Sequence, residues 1–160
     1  MDTAVLLYAP ALDAVAAAWR GDGDADVPPH LVLAHPFLAA DAVDVGVEEE
    51  LRWFFRGVDG LRVRFGEVQR RDGVLWLLPE RPSEVVDLAA ALALRWPELA
   101  PVEPPVPSVA LARGDDAHLD EVARDVQRLL PLDAELVRAG LWVRDGAWAE
   151  RAVLPLAEPD

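Results

Sequence analysis

The sequence contains no cysteine and no lysine, and these two absences narrow its chemistry. Without cysteine there can be no disulfide, no thiolate nucleophile and no cysteine-ligated metal site. The 15 basic residues are all arginine, they face 29 acidic residues, and the formal net charge is −14. Such an acidic surface repels polyanions, so we expect no long nucleic-acid partner. The charge is compatible with a small phosphate or nucleotide ligand in a local pocket.

Long apolar runs and nucleotide-binding loops are also missing. No stretch approaches the length of a membrane span, and Met1-Asp2-Thr3 lacks the basic start of a signal peptide, so we expect a cytoplasmic protein without membrane contact. The patterns G-x-x-x-x-G-K-[ST], G-x-G-x-x-G and G-x-S-x-G are absent. The acidic clusters Glu48-Glu49-Glu50 and Asp115-Asp116 lack paired histidines, so we assign no metal site and expect no cofactor.

The patterns that are present predict one α+β domain over residues 1–160. Length and a hydrophobic fraction of 52% suit a single domain with a core, and we expect a monomer. Periodicity predicts the order β-α-β-α-β-β-α-β-α-β-β, including a helix over 11–20 and a strand over 132–143 that returns at Asp145-Gly146. Each half holds a proline-flanked strand, a helix and a hairpin. This repetition indicates a duplication, with two antiparallel-rich lobes around a central cleft and helices outside.

One proline-flanked strand carries the most informative motif. It reads V-P-P-H-L-V-L-A-H-P-F-L from Val27 to Leu38, with His30 at its start. The segment resembles the first signature of the 2H phosphoesterase superfamily, the bacterial 2′-5′ RNA ligase-like proteins, which reads V-P-x-H-h-T-h-h-x-P-F-L with h apolar. Only one element departs, because Val32 stands where the signature has threonine. The second proline-flanked strand, aligned on Val106-Pro107, has Ser108 and Ala110 where the family repeats its histidine and threonine.

The resemblance implies a metal-independent phosphodiesterase or RNA ligase site with two H-x-T pairs. Residues i and i+2 of a strand point to one face, so each pair aims an imidazole and a hydroxyl at one phosphate. One histidine then removes a proton and the other donates one. Here only His30 remains. Val32 and Ala110 lack hydroxyls, and Ser108 can donate a hydrogen bond but cannot act as an acid or base near neutral pH. The site is therefore a degenerate one, with His30 as its candidate catalytic residue.

Other polar residues leave alternatives open. His35 lies five positions after His30, so a regular strand would place it on the opposite face, and we expect it to be structural or exposed. His118 is expected to be exposed in a helix. Arg62 and Arg64 alternate with apolar residues, and either supply positive charge to a phosphate cleft or form a solvated sheet face.

Two further residues near the motifs have two interpretations each. Arg113 ends the second motif strand, and either reaches an anion or pairs with the neighbouring acidic residues. Trp76 either stacks on a base or is a buried sheet aromatic.

Two function classes are consistent with these motifs. The first is an enzyme acting on 2′,3′-cyclic phosphates or 2′-5′ linkages, with little or no activity because the second histidine is missing. The alternative is a protein that keeps the fold but binds a small phosphate, using His30, Ser108 and Arg62 or Arg64, or that contacts another protein.

Overall fold

A computed structural model of the protein describes residues 2–13, 15, 27–99 and 107–157. Within them lie strands β1 (Asp2–Tyr8), β2 (His30–Ala34), β3 (Leu61–Arg71), β4 (Val74–Pro79), β5 (Val109–Arg113), β6 (Leu132–Leu136), β7 (Arg138–Asp145) and β8 (Ala147–Pro155). The α-helices are α1 (Val45–Arg56), α2 (Ser83–Arg95) and α3 (Asp116–Gln127). Most of the helix predicted over 11–20, and residues 101–106 before the second motif, fall outside the described residues.

The strands form two four-stranded antiparallel sheets. The first has the order β2-β1-β7-β8 and the second the order β5-β4-β3-β6. The first sheet takes its strands from both ends of the chain, whereas the second takes them from the middle. Each motif strand, β2 or β5, therefore occupies an edge of its sheet. The predicted α+β class with two antiparallel sheets is confirmed.

The sequence-based prediction of one strand over 132–143 is wrong. The strand β6 ends at Leu136, and after Val137 the chain enters β7 in the other sheet. Leu136 packs in the second sheet and Ala139 in the first, and both are fully buried. The apolar pattern of the sequence does not show where the chain passes from one sheet to the other, because both sheets bury the same kind of side chain. The hairpin between β7 and β8 is present as predicted.

The helices pack against the sheets and begin at recognisable caps. The Asp44 carboxylate accepts a hydrogen bond from the Val47 N–H at 2.9 Å, and so begins α1, which packs on β8. Asp115 caps α3 in the same way, and this helix packs on β3, β4 and β5. The helix α2 packs on β2, and its N-cap residue, Pro82, makes no side-chain hydrogen bond. Among the described residues, no helix is long and apolar enough to cross a membrane.

Candidate functional site

A cleft of about 300 Å³ lies between the two motif strands. Side chains from both sheets line it, whereas none of its described lining residues comes from an α-helix. The side of the first sheet contributes Ala4, Leu6, His30, Val32, His35 and Trp148. The side of the second sheet contributes Trp76, Ser108, Ala110, Ala112 and Arg113. The prediction that the two motifs meet at a central cleft is therefore confirmed.

His30 is the motif histidine, and its position fixes which ring nitrogen exchanges a proton. His30 is the first residue of β2 and is half-buried. Its Nδ1 lies 2.8 Å from the carbonyl oxygen of Pro28. Because a carbonyl oxygen can only accept, Nδ1 must donate, and Nε2 is the nitrogen that gains or loses a proton. The Pro28-Pro29 segment before the strand thus orients the imidazole.

The other three motif positions line the same cleft without an ionisable group. Ser108 is 8% exposed, and its hydroxyl is the polar group that remains there. Val32 lies two residues after His30, and Ala110 two residues after Ser108, so each points to the cleft beside its partner. The middle of the cleft is therefore apolar where the signature would place two hydroxyls.

Each motif strand contains a β-bulge three residues after its first motif position, at Leu33 after His30 and at Leu111 after Ser108. On β2, Val5 pairs with Ala34 and Leu6 with Val32, which leaves Leu33 without a partner of its own on β1. Leu33 and Ala34 are consequently both buried. One extra residue reverses the alternation beyond it. His35 therefore lines the same cleft as His30, and its expected placement on the opposite face is wrong, although it is exposed as expected.

The second bulge repeats the first. Leu75 pairs with Ala112 and Trp76 with Ala110, so Leu111 has no partner of its own on β4. Arg113 then enters the cleft five residues after Ser108, as His35 does five residues after His30. The duplicated bulges thus bring an imidazole and a guanidinium to equivalent positions. Sequence periodicity missed this arrangement, because a bulge is set by pairing with a distant strand.

Arg62 and Arg64 do not line this cleft. The Arg64 Nε donates to the Asp133 Oδ1 at 2.9 Å, and the Arg62 Nε lies 3.5 Å from the Glu135 Oε1. Both acidic partners are on β6, and all four side chains are exposed. The hydrogen bond from Arg64 lowers the pKa of the Asp133 carboxyl. Of the two interpretations of these arginines, the solvated sheet face is the one that fits. Neither side chain lines the cleft that contains His30.

Two tryptophans line the cleft, one from each sheet. Trp76 is half-buried, and the guanidinium of Arg71 lies over its ring, 5.0 Å from the centroid. Trp148 lies under the Arg144 guanidinium at 5.3 Å, and its ring meets His35 at 5.7 Å between centroids with the planes at 63°. The Trp76 Nε1 and one Arg71 Nη are buried donors without an acceptor among the described residues. Trp148 was not among the residues predicted from the sequence.

A partly buried polar network lies beside the motif strand, on the same face of the first sheet as Ala4 and Leu6. Tyr8 pairs with His30 across β1 and β2, donates a hydrogen bond to Glu150, and accepts one from the Trp142 Nε1 at 2.7 Å. Burial, with a smaller contribution from Glu150, raises the pKa of Tyr8 above its ordinary value. Tyr8 is the last residue of β1, so these hydrogen bonds hold the end of the strand whose Ala4 and Leu6 line the cleft.

The remaining candidate residues do not form a site. His118 is exposed on α3, as expected, and lies outside the cleft. Within the described ranges, no three histidine, aspartate or glutamate side chains gather closely enough to hold a metal ion.

Comparison with known proteins decides the family. The model of the 2′-5′ RNA ligase superfamily matches residues 7–148. The chain belongs to this superfamily. No curated protein sequence matches it significantly.

Solved structures share the fold at low identity. E. coli LigT complexed with 3′-AMP has a TM-score of 0.58 and 16% identity, with 98% of each chain covered. E. coli LigT complexed with ATP has a TM-score of 0.59 and 14% identity over the same shares. The protein TT0787 of Thermus thermophilus has a TM-score of 0.59 and 14% identity over 100% of both chains. At this identity the likeness establishes the fold alone.

Proposed function

We propose that this member of the superfamily binds a small phosphate ester in the cleft and has lost most of the phosphodiesterase chemistry. The observation that carries the proposal is the content of the four motif positions, which all line one cleft but supply one imidazole, one hydroxyl and two apolar side chains. His30, Ser108 and Arg113 are the groups that would hold the phosphoryl oxygens. Arg113 takes the part that the sequence had suggested for Arg62 and Arg64.

The loss of turnover follows from the missing second proton-transfer group. A phosphodiester displacement needs one group to take the proton of the attacking oxygen and another to protonate the leaving oxygen. A positioned acid or base contributes roughly 10²–10⁴-fold to the rate. Ser108 cannot take this part near neutral pH, because a serine hydroxyl neither loses nor gains a proton there. His30 can therefore carry out only one of the two proton transfers.

Charge and size favour a small ligand. The net charge of −14 opposes a long polyanion, whereas a cleft of about 300 Å³ with an arginine and a histidine suits one phosphate and its ester group. The structural relatives crystallised with ATP, 3′-AMP and phosphate support testing nucleotides first. Binding without turnover is the second of the two function classes that the motifs left open.

The test rebuilds the motif and measures both binding and turnover. The natural chain, Ser108→His, and the triple variant Val32→Thr, Ser108→His, Ala110→Thr are incubated with a nucleoside 2′,3′-cyclic phosphate. We expect slow or no hydrolysis by the natural chain and a gain of about 10²-fold or more in the triple variant. Adding His30→Ala to the triple variant should abolish the gain. Arg62→Ala, outside the cleft, is the matched control and should change nothing.

A retained hydrolase is the second candidate, and one observation favours it. The bond from His30 Nδ1 to Pro28 leaves Nε2 as the proton-accepting nitrogen, which is the form a general base requires. Rapid hydrolysis by the natural chain, lost in His30→Ala, would establish this candidate. Rapid hydrolysis unaffected by His30→Ala would overturn the assignment of the site. No binding of any phosphate ester would leave an interaction with another protein as the remaining class.

A further inference from the structure

Exposed apolar side chains are concentrated on the helices α1 and α2. In the described part of the chain seven large apolar residues are exposed, and four of them lie on these two helices: Val45, Trp53, Val86 and Leu94. Trp53 is 65% exposed and Leu94 is 83% exposed. Single exposed apolar residues need no explanation, but large ones gathered on two neighbouring elements indicate a contact surface.

Arg95 brings these two side chains to one place. It is the last residue of α2 and follows Leu94, and its Nη2 donates a hydrogen bond to the Glu50 Oε1 on α1 at 2.7 Å. Its guanidinium also lies over the Trp53 ring, 5.1 Å from the centroid. An indole held in this way loses little conformational freedom when a partner packs on it. Trp53 therefore has the properties of an anchor residue, the type that dominates the binding energy of protein interfaces.

Acidic side chains lie beside both apolar ones. Glu49 is one turn before Trp53 on α1, and Asp87 is two turns before Leu94 on α2, so each shares a side of its helix with the apolar residue. Both acidic residues are exposed, and neither forms an ion pair with another described residue. The positive charge of Arg95 is already paired with Glu50. The surface thus combines apolar side chains with unneutralised negative charge.

Charge decides which kind of partner fits this surface. A second copy of the chain would bring a further net charge of −14 and the same acidic residues, so repulsion opposes self-association. Nucleic acids and anionic membranes are repelled for the same reason. A basic partner is attracted instead. Two helices side by side present ridges and grooves in which a third, amphipathic helix can pack its apolar stripe.

We propose that α1 and α2 bind a basic amphipathic helix of another protein. Its apolar stripe packs on Trp53 and Leu94, and its lysines or arginines pair with Glu49 and Asp87. We name these four residues the helix surface.

The helix surface lies on the side of the first sheet away from the cleft. Ala4 and Leu6 of β1 line the cleft. Val5 and Leu7, which alternate with them along the strand, belong to the main core together with the buried sides of α1 and α2. A partner on the helices leaves the cleft open. The proposal is therefore independent of the function proposed for the cleft.

The test uses two synthetic peptides of equal charge. One has about 18 residues, roughly five helical turns, with leucines along one face and lysines elsewhere. The other has the same composition in scrambled order and so lacks an apolar face. Binding is measured by calorimetry and by the NMR shift of the Trp53 indole N–H. We expect the amphipathic peptide to bind the natural chain about 10-fold or more tightly than the scrambled one.

Variants of the chain separate the apolar contribution from the charge. Trp53→Gln and Leu94→Gln should each remove most of the difference between the two peptides, with an unchanged melting temperature because both side chains are exposed. Glu49→Gln combined with Asp87→Asn should weaken both peptides and reduce the dependence of binding on salt. Leu129→Gln is the matched control, because Leu129 is 47% exposed but lies just after α3. It should change neither affinity.

Contrary results would overturn the proposal in distinct ways. No binding, equal affinity for the two peptides, or a difference that survives both Trp53→Gln and Leu94→Gln would refute the helix surface. Tighter binding of an analogue with glutamate in place of lysine would refute the charge argument. A dimer seen by light scattering that Leu94→Gln dissociates would assign this surface to a second copy of the chain. Each of these results leaves the phosphate-binding test of the cleft unaffected.

Discussion

Replacing Gly140 with alanine should destabilise the protein by breaking the buried network beside the motif strand. A Cβ atom at this position would lie 1.7 Å from the Tyr8 hydroxyl oxygen, 2.5 Å from its Cζ and 2.9 Å from the Trp142 Nε1. Gly140 has no left-handed backbone angle, so it is required here for space and not for conformation. The phenol of Tyr8 occupies the place of the missing side chain.

The size of the effect follows from these distances. An ordinary contact needs at least 3.4 Å, so the hydroxyl must move by about 1.7 Å or the strands must separate. A shift of that size breaks the 2.7 Å hydrogen bond from Trp142 and the one to Glu150. Overpacking costs about 1–3 kcal/mol. Each lost hydrogen bond adds about 0.5–1.5 kcal/mol, which gives a total of about 2–6 kcal/mol.

Urea and thermal unfolding measure this loss. For a chain of this length, about 2–4 °C of melting temperature corresponds to each kcal/mol, so Gly140→Ala should melt at least about 4 °C below the natural chain. Gly57→Ala is the matched control, because its Cβ would meet only the Phe54 carbonyl oxygen at an ordinary 3.5 Å. Tyr8→Leu should recover part of the loss in the Gly140→Ala background by vacating the space. An unfolding free energy of Gly140→Ala within about 0.5 kcal/mol of the natural value would refute the steric argument.

Two further predictions concern pH. Binding of a 2′,3′-cyclic nucleotide, whose charge is constant near neutrality, should weaken as pH rises, because a protonated imidazole attracts the anion more strongly than a neutral one. Calorimetry at about pH 5.5 and 8 tests this, and a dependence that persists in His30→Gln would contradict it. Since the pKa of Tyr8 is raised in the folded protein, its contribution to stability is complete below the unfolded value of 10.0 and declines above it. Tyr8→Phe should therefore lose less stability between about pH 9 and 11 in urea titrations, and identical slopes for both chains would argue against the buried phenol.

The sequence by itself determined the family, the fold class and the central histidine. The signature from Val27 to Leu38 reads directly from the chain, because its prolines, its apolar run and His30 are local features. The same is true of the missing groups at Val32, Ser108 and Ala110. A strand with period two places residues i and i+2 together, so the composition of the cleft centre was predictable without coordinates.

Only the tertiary structure decided which other side chains join His30. Periodicity assumes regular pairing, and it placed His35 on the wrong face, because Leu33 bulges where β2 pairs with a strand more than twenty residues away. The same applies to the split of residues 132–143 between two sheets, which leaves the local pattern unchanged. Arg62 and Arg64 carry the positive charge that an anion site needs, but each forms an ion pair with an acidic residue of β6. Arg113 lines the cleft instead. Register between distant strands fixes all three outcomes, and local sequence patterns do not encode that register.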